Sequence, residues 1–136
     1  MTLRPVLKAL GVIAVVALLA GATSARAELR EVTHVSEGII AAAIAYEIGH
    51  KCGPVDARLL RGISFLNGLK THAASLGYSG AEIDAFIDDK AEQDRLEAIA
   101  RERLRGMGAL EGQSETYCTV GRAEIAAGSQ IGQLLR

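Results

Sequence analysis

YEIGHKCGP, residues Tyr46–Pro54, is the stretch on which the fold turns. A long apolar segment runs into it, Gly49 and the Gly53-Pro54 pair end that segment, and Cys52 stands at the end. Three roles are open to this cysteine: metal ligand with His50, nucleophile, or half of a disulfide. A structural zinc site takes about four ligands in short-spaced sets, whereas Cys118, His34 and His72 are scattered away from the His50–Cys52 pair. The CxxC of redox pairs and the CxxCH of haem attachment are both absent. A nucleophilic cysteine needs a base and an orienting acid brought from elsewhere, which a linear reading leaves open. Cys118 is the other cysteine, so one intramolecular pairing exists, and a Cys52–Cys118 disulfide is the expectation. It would close a long loop, worth roughly 4 kcal/mol in the chain-entropy model.

Such a bond requires an oxidising compartment, and the N-terminus supplies the route. Arg4 and Lys8 precede an uncharged apolar run, residues 9–22, and small residues stand at Ala25 and Ala27 before Glu28. This is the pattern of a cleavable signal peptide over residues 1–27. The run is shorter than the roughly 20 residues a membrane span needs, although an uncleaved anchor helix is the alternative. The expected mature chain is a single helical domain, residues 28–136, in the periplasm, with no membrane span after cleavage. Loss of Arg4, Lys8 and Arg26 leaves 12 basic against 16 acidic residues, a charge of −4. That balance argues against a nucleic-acid partner. Arg101, Arg103 and Arg105 are interleaved with Glu97 and Glu102, which reads as a solvated helix face.

Outward from the opening stretch, helical periodicity dominates. Val32, Val35, Ile39, Ala42 and Tyr46 mark one face of a first helix over about residues 31–49, and Ile40, Ile44 and Ile48 widen it. Pro54 suits the first position of a second helix, whose expected buried face is Val55, Leu59, Ile63, Leu66, Leu69 and Ala73. Ser79 with Glu82 forms a capping box, with Tyr78 and Ile83 as its hydrophobic staple. The apolar phase then breaks, and Asp89 with Glu92 repeats the cap spacing. A restart near residues 88–89 is expected, with one straight two-faced helix as the alternative. A last helix is expected from Ser114 to the C-terminus. Strand propensity is poor throughout, so the fold class is all-α: a bundle of four to five helices stapled by one disulfide.

The disulfide would join the end of the first helix to the start of the last and pair them antiparallel. Equal steps from the two cysteines bring the alanine-rich 41–45 opposite the glycine-rich 125–129. Gly128 is then expected at a close helix–helix seam, because small side chains let helix axes approach.

Catalytic signatures are not legible. Leu66 stands where GxSxG needs its last glycine, the 88–94 acids lack calcium-loop spacing, and no cofactor is expected. The segment YCTVGRAEIAAGSQIGQLLR, together with GHKCGP and the exported N-terminus, resembles a family of short exported alphaproteobacterial proteins classed as a domain of unknown function. The resemblance covers roughly the whole mature chain. It implies a setting near respiratory NADH:quinone oxidoreductase genes and carries no catalytic residues.

The resulting expectation is a non-enzymatic periplasmic interaction or assembly protein, peripheral to a membrane respiratory complex as the resemblance implies, with a protein partner. Alternatives are a small periplasmic chaperone or stress protein, responsive to pH through His34, His50 and His72, and a hydrolase or metal protein whose site forms only in three dimensions. The candidate partner-binding edge is Arg58, Arg61, Phe65 and His72 on the second helix, an aromatic bordered by arginines. For Phe65 the competing placement is peripheral core beneath the 77–80 turn.

Overall fold

A computed structural model describes residues 27–136. The expected signal segment lies outside the described residues, apart from Ala27. After a 3-10 turn, Leu29–Glu31, come α1 Thr33–Lys51, α2 Leu59–Ser75, α3 Gly80–Asp88, α4 Lys90–Gly106, α5 Ser114–Ala127 and the single turn α6 Gln130–Gln133. The class is all-α, as expected; among the described residues the extended pairing amounts to one isolated antiparallel bridge, Ala57 to Leu135.

α1 is the hub and packs against α2, α4, α5 and α6. Its most buried line is Ile40, Ile44 and Ile48, at helical i, i+4 spacing. Tyr46, expected on the buried face, is instead exposed and stacks on His50 with ring centroids 6.2 Å apart. The reason is positional: on the same stripe Val35 is buried and Ile39 packs on the core, and the cover ends before Tyr46. His50 and Lys51 occupy the last turn, where cations complement the helix dipole.

Cys52 and Cys118 form the disulfide, with Cα atoms 5.1 Å apart and both residues fully buried. A Cβ on Gly121 would lie 2.8 Å from Ile48 Cγ2, so α1 and α5 run antiparallel and in close contact beside the bridge. The seam then departs from expectation. α5 ends at Ala127, Gly128 adopts the left-handed conformation at φ 61°, and a Cβ there would meet open space. Ser129 caps α6 by accepting from the Gly132 amide at 3.0 Å. The chain folds back, and Ile131 packs on the core while Ile125 is exposed. The expected single last helix is therefore two, because a left-handed glycine ends a helix.

The second helix also starts later than expected. Residues 53–58 run beside the C-terminus: the Asp56 amide donates to Arg136 O at 2.9 Å, and the Arg58 amide to Leu134 O at 2.8 Å. Val55, Leu134 and Leu135 are buried there, so Pro54 sits in a connection and α2 opens at Leu59. Of its expected face Val55, in the connection, and Leu69 and Ala73, on the helix, are buried, while Leu59, Ile63 and Leu66 are exposed. Leu69 crosses α1 at Gly38, where a Cβ would approach its side chain to 2.7 Å. Helical period groups those leucines, but the crossing point decides which stripe is covered.

The Ser79–Glu82 capping box is present. The break at 88–89 is real: Asp89 ends α3 and caps α4, accepting from the Glu92 amide at 3.1 Å. Leu29, Val35, Ala73, Tyr78 and Ile83 make a second small core. Above it the Tyr78 hydroxyl donates to the Ala27 carbonyl.

Candidate functional site

An open groove of about 500 Å³ lies between the first four helices. α1 contributes Ile39, Ala42, Ala43 and Tyr46; α2 contributes Leu66, Leu69, Lys70 and Ala73; α3 contributes Ile83, Phe86 and Ile87. α4 closes it with Leu96 and the polar edge of Glu92, Gln93 and Glu97. The small alanines of α1 and α2 make it concave. The restart at Asp89 turns Phe86 and Leu96, from successive helices, toward the same space. Tyr46, Leu66 and Ile87 rim it and are exposed.

Glu92 anchors the edge. Its side chain is 3% exposed, Arg95 Nε donates to both carboxylate oxygens at 3.1 and 3.0 Å, and Arg30 Nη2 donates at 3.0 Å. The Arg95 hydrogen bonds, helped by Arg30, hold the carboxyl below its ordinary range although burial pushes it upward. A carboxyl depressed in the folded state stabilises fully above its unfolded pKa, and that contribution is lost as pH falls through the folded value. Melting temperature is therefore expected to hold from pH 7 to about 5 and to fall below about 4.3, the ordinary glutamate value. Glu92→Gln should cost about 2 kcal/mol at pH 7 and flatten the acid limb. Circular-dichroism melts of both proteins across pH check this, and parallel acid limbs would refute it. Glu37 and Arg103 tie α1 to α4 with a bond of 2.8 Å, and the arginine lowers the Glu37 carboxyl likewise; this pair is half-exposed and contributes little.

The proposed edge of α2 is mixed in exposure, open at Arg58 and Arg61 and half-buried at Phe65 and His72. Arg58 precedes the helix and is exposed. Arg61 Nη1 donates to Gln133 O at 3.4 Å. Phe65 is half-buried against the main core, and His72 is half-buried against His34 with ring centroids 4.4 Å apart. The third histidine, His50, is on Tyr46. Among the described residues, no group of three or more His, Cys, Asp or Glu side chains is placed to hold a metal, and no helix is long and apolar enough to cross a membrane.

Sequence reading missed the groove, whose walls come from four helices, and the burial of Glu92. The cap spacing from Asp89 places Glu92 at the third position of α4, but its contact with Arg30 spans 62 positions and leaves no local signal.

These features define a class: a disulfide-clamped all-α domain with an open apolar groove. More particularly, the chain belongs to DUF5333, a family of unknown function whose model matches residues 27–136. No curated protein and no solved structure matches it.

Proposed function

We propose that this chain is an exported, non-enzymatic interaction protein of the periplasm, which receives an apolar helix of a protein partner in the groove between α1 and α4. The observation that carries the reading is the groove itself, an apolar concavity on rigid helices, left open at Tyr46, Leu66 and Ile87. Helix-in-groove recognition uses such a surface, with apolar anchors at helical spacing filling the concavity. A buried disulfide suits an oxidising compartment. The resemblance suggests a membrane respiratory complex, on its periplasmic side, as the setting.

A photo-crosslinking amino acid at position 46, 66 or 87, in cells exporting the protein, is expected to capture one and the same protein at all three. Equivalent probes at positions 115 and 123 on α5, both exposed, should not. Equal capture at groove and control positions overturns the reading. Intact mass tests the export premise separately: the exported chain is expected to begin at Glu28.

A further inference from the structure

Beside the groove, α2 carries a ridge. Leu59, Ile63 and Leu66 share one stripe at i, i+4 and i+7, and Leu60 flanks it; the first two are 65% and 57% exposed and Leu60 is 84% exposed. Ridge and groove are continuous, because Leu66 belongs to both. We propose that they are the two halves of one isologous interface: two copies of this chain pair by seating the α2 ridge of each in the groove of the other. The proposal rests on the helix-receiving reading of the groove and names a second copy of this chain as its occupant.

Three properties favour a second copy. The first is shape: a twofold interface must be self-complementary, and this patch presents large aliphatic knobs beside a hollow floored by Ala42 and Ala43. The second is charge. From Arg58 to Ser75 the chain carries Arg58, Arg61 and Lys70 and no carboxylate, whereas α3 carries Glu82, Asp84 and Asp88 and no base. Within one copy Lys70 already lies 3.9 Å from Asp84. Two α2 helices face to face would set cation against cation, while α2 against the α3 wall sets cation against anion. Asp56, 4.0 Å from Arg136, is the acid at the ridge's base. The third is area. Tyr46, Leu59, Leu60 and Ile63 are each more than half exposed and Leu66 and Ile87 about two-fifths exposed, an apolar patch on the order of the few hundred Å² that marks an interaction surface.

Sedimentation equilibrium of protein purified after export, over about 1–100 µM, is expected to show association reaching twice the chain mass. Leu60→Asp on the ridge and Ile87→Lys in the groove alter exposed positions, so helical circular dichroism should be unchanged. Each should weaken association at least about tenfold, or 1.4 kcal/mol. An equimolar mixture of the two variants should regain association, because one of its two ridge–groove contacts is intact. A wild-type chain that stays single to about 100 µM overturns the proposal, as do variants that associate unchanged or a mixture that fails to recover. Binding of a single-chain form to phosphatidylglycerol vesicles but not phosphatidylcholine vesicles would instead assign the ridge to an anionic membrane. Heterologous crosslinks at positions 46, 66 and 87 without self-association would sink the dimer and leave the partner-binding reading standing.

Discussion

Replacing Cys52 and Cys118 together by alanine is expected to lower the melting temperature by roughly 20 °C. The bridge spans a sequence separation of 66, and releasing a loop of that length returns about 4 kcal/mol of conformational freedom to the unfolded chain. For a domain near 100 residues, 1 kcal/mol corresponds to roughly 4–8 °C. Both cysteines are fully buried, so the lost sulfur contacts add to the entropic effect. The total is a large share of the 5–15 kcal/mol by which small domains are stable. Thermal melts of oxidised wild type and the double-alanine protein measure it. A fall of less than about 5 °C, near 1 kcal/mol, would mean that α1 and α5 are held by packing alone. Far-ultraviolet dichroism at low temperature should stay helical, since the hydrogen bonds of each helix are internal to it.

Gly132→Ala is the other change with a large expected effect, about 3–5 kcal/mol, in the range of severe core substitutions. A Cβ at this position would stand 2.0 Å from the Glu124 carbonyl oxygen and 2.4 Å from its carbon. The obstacle is backbone, so no rotamer change relieves it, and α6 must move off α5. That displacement loosens Leu134 and Leu135, both buried, and the hydrogen bonds joining residues 56 and 58 to the C-terminus. Gly68→Ala is the matched comparison. A Cβ there meets nothing within 4 Å, and alanine within a helix stabilises by up to roughly 1 kcal/mol over glycine. Opposite signs for the two substitutions are expected in denaturant titrations; equal effects would refute the fold-back of α6.

Gly128, assigned by sequence reasoning to a packed seam, differs from both. Its side faces open space and its backbone is left-handed. The glycine is there to end α5, and a larger residue would strain the backbone without overpacking a neighbour.

What the sequence by itself determined are the features whose physics is local or has one solution. The Ser79–Glu82 box and the Asp89 cap connect residues three apart, so their spacing shows them directly. The Cys52–Cys118 pairing follows from there being two cysteines, and the all-α class follows from period and propensity. The family resemblance, too, was legible in the segments around the two cysteines. Tertiary structure alone decided which stripe of each helix is covered. Leu59, Ile63 and Leu66 have the period of a core face and stand in solvent, because α2 meets α1 at Leu69 and Gly38 and its first half extends past the contact. Phe65, on the neighbouring stripe, is drawn inward by the same crossing. The groove and the buried Glu92 exist only where α1 to α4 converge. A helical period repeats identically around every face of the cylinder, so it sets which residues travel together; the neighbour that arrives from elsewhere in the chain chooses which of them leave water.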